Sequence, residues 1–179
     1  MALILPVEDH FPKWGKNCFI APNCTIVGDV IMGDDCSIWF NAVVRGDVNS
    51  ISLGNKVNIQ DGAVIHSTYQ RTKTYIGNNV SVGHNALIHG CTIHENVLIG
   101  MGSIIMDKAE IKSNTIIAAG AVVLEGTICE AGAIYAGVPA KKVKEISKEK
   151  IEGEINRIAN NYLGYSRWFD SVNEAGKDF

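Results

Sequence analysis

Aliphatic residues return every five or six positions between Ile20 and Ile134, most regularly at Ile93, Ile99, Ile105, Ile111, Ile117 and Val123. A six-residue period of this kind marks a parallel β-helix, in which short strands coil around one apolar core. Hexads start at Ile20, Ile26, Met32, Ile38, Val44, Leu53, Ile59 and Ile65, and resume from Ile76 through Val82 and Ile88 to Ile134. A small or β-branched residue usually follows four places later and also points inward, as at Cys24, Cys36, Ala63, Val80 and Ala121. Gly and Asn fall between the inward positions, at Gly77-Asn78-Asn79, Gly83, Gly100 and Gly102, where corners need unusual backbone angles. The pattern predicts an all-β fold: a single-stranded parallel β-helix over residues 20–140, behind an N-terminal segment at residues 1–19.

Two interruptions break this lattice. A short extra stretch lies around Asp47 to Ile51, and a longer one runs from His66 to Tyr75 with Tyr69, Arg71 and Lys73. Insertions in a solenoid leave the coil as loops, and such loops often line a site. After Pro139 the beat changes. Ile151, Ile155, Ile158, Tyr162, Tyr165 and Phe169 alternate four- and three-residue steps behind a capping residue at Ser147. This predicts an amphipathic helix over residues 147–170, packed on the flank or end of the β-helix, and then a frayed tail at 171–179.

Composition removes several function classes. A chain of 179 residues suits one domain, and a net charge of −3 does not point to nucleic acid or an anionic membrane. The basic cluster Lys141, Lys142 and Lys144 reads as a solvated junction. The apolar run Met1 to Leu5 is too short for a secretory signal or a spanning helix. Five cysteines without a Cys-x-x-Cys pair suit free thiols in the cytoplasm better than a disulfide scaffold. The eighteen glycines are corner residues and not a phosphate loop: Gly100-Met101-Gly102 lacks a third glycine and a following helix.

Used as a ruler, the hexads stack the histidines. Three hexads make one coil, so those starting at Val44, Ile65 and Ile88 share a face, and their second residues, Arg45, His66 and His89, form a column. Strand spacing separates neighbours in it by about 4.8 Å, close enough for two imidazoles to converge on one ion. His84 falls on the preceding face, directly above Asp61. One subunit therefore carries two separate columns. Association around a threefold axis would set the first column of one subunit against the second column of its neighbour. That would complete a three-histidine site and bring Arg45 near Asp61 as an intersubunit ion pair. Three imidazoles with an open fourth position is the arrangement of a catalytic zinc. His10 and His94 lack such company and read as surface histidines.

The same residues carry a family resemblance. Val44-Arg45-Gly46-Asp47, Asn58-Ile59-Gln60-Asp61-Gly62, His66, Gly83-His84-Asn85, Ile88-His89-Gly90, Leu98-Ile99-Gly100-Met101-Gly102 and Gly137-Val138-Pro139-Ala140-Lys141 resemble the γ-class carbonic anhydrases, from about Phe19 to Lys142. The resemblance implies a left-handed β-helix, a homotrimer, and zinc (or Fe2+ or Co2+) held between subunits by His66, His84 and His89. It implies reversible hydration of carbon dioxide to bicarbonate by metal-bound hydroxide, with Gln60 positioning the hydroxide and Arg45 and Asp61 at the interface. Asp47 joins the same polar network, and Tyr162 corresponds to a tyrosine that reaches the pocket in many relatives. Two proton-shuttle glutamates of the family are replaced here, one by Val48 and the other within Ser67-Thr68-Tyr69. The competing readings are a hexapeptide-repeat acyltransferase using acyl-CoA and a non-catalytic trimeric metal-binding scaffold.

Overall fold

The structure, a computed structural model, describes residues 1–169; position 170 and the expected tail at 171–179 lie outside the described residues. The strands stack in parallel register into a β-solenoid of about seven turns, with a helix at its C-terminal end. One face carries the sheet Phe19–Ile20, Ser37–Ile38, Asn58–Ile59, Val80–Val82, Val97–Ile99, Thr115–Ile117 and Ala133–Ala136. The other two faces belong to one 12-stranded sheet, because Thr25–Met32 and Val43–Leu53 run through the corner between them. Inward positions form ladders. Ile65, Ile88 and Ile105 pair in register on one face, and Ile76, Ile93 and Ile111 on the next, all fully buried. Burying each isoleucine is worth about 1.5–3 kcal/mol. A one-residue slip would turn a whole ladder outward, so the same burial locks the register.

That locked register is what positions outward side chains. The corners are turned by residues in the left-handed region, among them Asn79, Asn85, Asn96 and Asn114 with φ between 56° and 57°, a conformation asparagine adopts more readily than most residues. Gly28 has φ +74°, and a Cβ there would lie 2.3 Å from the carbonyl oxygen of Gly46, its partner on the next strand. Gly28→Ala is therefore expected to cost about 2 kcal/mol or more, lowering Tm by roughly 4–8 °C. Gly126→Ala, at φ +70° with open space around it, should lose less in the same melting experiment, because it meets strain without a clash.

Three local expectations are corrected. The extra residues at 47–51 do not leave the coil as a loop. They stay extended within Val43–Leu53 and bulge outward where the register jumps from Gly28↔Gly46 to Val30↔Ile51. The lysines after Pro139 are not a bare junction but part of an exposed strand, Lys141–Glu145, which turns back antiparallel along Ala133–Ala136 at the end of the first-face sheet. The C-terminal helix is capped by Ser147 as expected, yet it contains a π-helical stretch, Ile151–Asn156, before the regular turns of Arg157–Arg167. The N-terminal segment joins the sheet: Leu3–Leu5 and Lys13–Trp14 both pair with Thr25–Met32.

The helix lies against the first face. Ile155 and Ala159 are buried in that contact, and Lys56 and Asn79 bond Asn160 and Asn156 at 2.7 and 2.8 Å. Phe19, Trp39, Phe40 and Phe169 form an aromatic cluster beneath it, and the Tyr162 ring stands edge-on to Trp39 with centroids 5.1 Å apart. This packing holds the Tyr162 side chain on the solenoid. No helix among the described residues is long and apolar enough to cross a membrane.

Candidate metal centre

Strand register builds two polar columns from the backbone outward. His66 and His89 pair directly across adjacent parallel strands. Val44 pairs with Ile65 one residue earlier, which carries Arg45 to the position below His66. On the neighbouring face Ser81↔Asn58 and Val82↔Ile59 continue the count to Asp61 beneath His84. The Asn85 N–H donates to the Asp61 carbonyl at 2.9 Å and keeps that step in place.

In the first column a carboxylate engages one nitrogen of each imidazole. Asp47 Oδ1 lies 3.0 Å from His66 Nε2, and Asp107 Oδ1 lies 2.7 Å from His89 Nδ1. An ionised carboxylate only accepts, so these ring nitrogens carry the protons. In the neutral rings the other two nitrogens, His66 Nδ1 and His89 Nε2, then present lone pairs, and they face each other at 3.2 Å. Two lone pairs in that position repel unless a proton or a cation sits between them.

The local electrostatics favour the cation. Burial is the largest influence on His66 and pushes its pKa down; the Asp47 hydrogen bond opposes this, the Arg45 charge adds to it, and the net shift is downward. The imidazole thus resists taking a second proton. For Asp47, burial works against ionisation, but hydrogen bonds from Arg45 (2.5 Å) and His66 outweigh it and lower the pKa. Asp107 follows the same balance, held below its ordinary value by Thr68 and His89. Both carboxylates therefore remain acceptors at neutral pH.

Asp107 was not among the residues singled out from the sequence. It occupies the position above Gly90, one coil on, because Ile88 pairs with Ile105. A Cβ at Gly90 would stand 2.1 Å from Asp107 Oδ1, so the glycine leaves the opening through which this carboxylate reaches His89. Thr68 Oγ1 donates to its other oxygen at 2.5 Å, and Thr72 Oγ1 lies 3.3 Å from Oδ1. The long insertion after His66 thus lines the column, whereas Tyr69 within it is largely exposed.

The second column is built alike. His84 Nδ1 lies 2.8 Å from Asp61 Oδ2, and the Tyr162 hydroxyl is 3.3 Å from His84 Nε2. Burial, with the Asp61 charge nearby, pushes the Tyr162 phenol up to about 12, so it stays a donor. Gln60 is buried at the same place; its Nε2 donates to Asn58 Oδ1 at 3.0 Å, and Asn58 donates to Ser81 Oγ at 2.7 Å. Gln60 lines a cavity of about 280 Å³ together with His84, Leu98, Met101, Ile158 and Tyr162. Ser81 was not singled out from the sequence, although it pairs in register with Asn58 of the motif. Among the described residues of the chain, no three His, Cys, Asp or Glu side chains are arranged to hold an ion together. Arg45 pairs with Asp47 of the same chain.

Residues 15–46 and 90–125 match the repeat family described as bacterial transferase hexapeptide (six repeats). A carbonic anhydrase of Geobacillus kaustophilus is 38% identical over 172 residues, covering 96% of this chain and 93% of that protein. Gamma carbonic anhydrase 2, mitochondrial, of Arabidopsis thaliana is 37% identical over 175 residues, 95% of this chain. The chain belongs to the γ-carbonic anhydrase family. It spans 63% of the length of the plant protein. Among solved structures, a hexapeptide transferase family protein from Anaplasma phagocytophilum superposes with a TM-score of 0.88 at 38% identity, covering 93% of this chain and 98% of that one. Within the γ-carbonic anhydrase family a metal cofactor is implied, and the donor set of the two columns is chemically suited to one.

Proposed function

We propose that the protein is a carbonic anhydrase-type lyase, a homotrimer that hydrates carbon dioxide reversibly to bicarbonate at metal centres shared between subunits. The observation that carries this reading is the pair of facing lone pairs on His66 Nδ1 and His89 Nε2, 3.2 Å apart. Tetrahedral zinc, bonded to imidazole nitrogen at about 2.0–2.1 Å, holds two ligands about 3.3 Å apart. His66 and His89 of one subunit and His84 of its neighbour would hold the ion, zinc in our reading, with Fe2+ and Co2+ also suited to three imidazoles. Bound zinc supplies hydroxide near neutral pH, by lowering the pKa of water to about 7. Five free cysteines fit a protein working in the reducing cytoplasm.

The remaining chemistry belongs to the chain. Asp47, Asp107 and Asp61 each hold a proton on the far nitrogen of a histidine and so turn the other nitrogen toward the centre. His84 would offer Nε2, the atom to which Tyr162 now points, and Tyr162 releases it when the ligand set assembles. Gln60, with its amide nitrogen committed to Asn58, presents a carbonyl that accepts an O–H and orients it. Leu98, Met101 and Ile158 give the substrate an apolar wall suited to an uncharged molecule. Arg45 and Asp61 keep 44% and 40% of their side-chain surface exposed, so in the assembled trimer each can add a contact across the interface to the one it makes with Asp47 or His84.

Purification without chelators should yield close to one transition metal per subunit. Stopped-flow carbon dioxide hydration should vanish on chelation and return with zinc, cobalt or iron; a fully loaded protein that does not hydrate carbon dioxide above buffer would overturn the reading. Asp107→Asn removes the charge that orients His89, and metal affinity by chelator competition is expected to fall 10–100-fold. Unchanged affinity would remove Asp107 from the account.

A further inference from the structure

Hydration of carbon dioxide by water yields bicarbonate and one proton, and that proton must leave the site in every turnover. A second cavity, of about 280 Å³, opens beside the first column. Asp47 belongs to both: it lines the cavity and accepts from His66 Nε2 at 3.0 Å. The bulged stretch with Val48 forms one wall, and the insertion contributes Tyr69 and Lys73. The N-terminal turn closes it with Glu8 and His10, and Asp29 completes the lining.

The turn that carries His10 is fixed, not loose. Val7 N–H donates to the His10 carbonyl at 3.1 Å, and His10 N–H returns to Val7 at 3.0 Å. Leu3–Leu5, just before it, pairs in register with Thr25–Val27. His10 is thereby fixed at the rim of the cavity it lines and is exposed to solvent. Of the side-chain types facing this space, carboxylates ordinarily titrate near 4, and tyrosine and lysine near 10. Valine carries no proton at all. Imidazole alone exchanges protons readily around neutral pH, which suits it to passing them between a site and bulk buffer.

We propose that His10 is the proton-transfer relay of the metal centre. The proton released by hydration is taken up by water in the cavity, which hands one proton to a ring nitrogen of His10 and is left as neutral water; the proton of the N–H formed there is then passed to a buffer base. This rests on the carbonic anhydrase reading. Glu8, Asp29, Asp47, Tyr69 and Lys73 line the same cavity and set the charge within it, and Asp47, held below the ordinary carboxylate range, stays ionised.

The test compares zinc-loaded native protein with His10→Ala and His10→Gln, each checked for one zinc per subunit. At low buffer concentration kcat should fall about tenfold in both variants, with kcat/KM and zinc affinity unchanged. Raising an imidazole buffer should restore kcat. Independently, exchanging zinc for paramagnetic cobalt should displace the His10 ring signals in the NMR spectrum of the native protein. Unchanged kcat at low buffer, a loss that imidazole does not rescue, or His10 signals indifferent to cobalt would each overturn the relay while leaving hydration itself standing. Zinc-loaded native protein inactive at every buffer concentration would instead sink the carbonic anhydrase reading, and the relay with it.

Discussion

His89→Ala is expected to strip the protein of its metal and of measurable carbon dioxide hydration while leaving the fold in place. The substitution removes one of the two nitrogens that face each other at 3.2 Å, and it leaves Asp107 without the histidine it orients. Loss of an orienting partner alone typically costs 10–100-fold in metal affinity, so loss of a ligand should cost more than about 100-fold. The His89 side chain is 31% exposed, and the ladder that fixes its strand is Ile65–Ile88–Ile105, which the change does not touch. Stability should therefore shift by only a few tenths to about 1 kcal/mol. Elemental analysis, stopped-flow hydration and a melting curve on the same preparation check the three parts together. Native metal content in His89→Ala would remove this histidine from the ligand set.

How much of this was legible in advance depends on what the hexad period measures. It counts backbone positions, and in a solenoid with a locked register backbone position is nearly spatial position. That is why Arg45, His66 and His89 could be stacked from the sequence, and Asp61 and His84 set apart from them, each as strand pairing has them. The period failed where the chain departs from single-layer coils. The residues around Val48 stay in the sheet because Gly28 and Gly46 let two backbones approach and the surplus bulges outward, a choice no local pattern announces. The return strand Lys141–Glu145 is held by pairing with Ala133–Ala136 and not by burial, so it shows no hydrophobic signal.

Asp107 is a different kind of omission. The signal was present, since one further hexad places it above Gly90, and Gly90 immediately follows His89. What hid it is that Asp107 reaches His89 only because Gly90 lacks a side chain in between, a feature of side-chain space and not of the period. The cavity holding His10 was beyond reach for a physical reason: a hairpin turn in the N-terminal segment and a bulge in a later strand form it together, and neither feature appears in a periodic count. Among the described residues the two free-facing lone pairs are likewise a matter of side-chain geometry, visible only once Asp47 and Asp107 are seen to claim the opposite nitrogens.

The central claim is that each metal centre takes its ligands from two subunits, and subunit mixing tests it most directly. His84→Ala and His89→Ala should each be metal-poor and inactive as pure proteins. Unfolded together in equal amounts and refolded, they should assemble into mixed trimers. An interface is then intact wherever a subunit keeping His66 and His89 meets a neighbour keeping His84. Random assembly gives that arrangement about one time in four, so roughly a quarter of native metal content and hydration activity should return. A mixture that stays as metal-free and inactive as its two components, while forming trimers normally, would contradict the shared site.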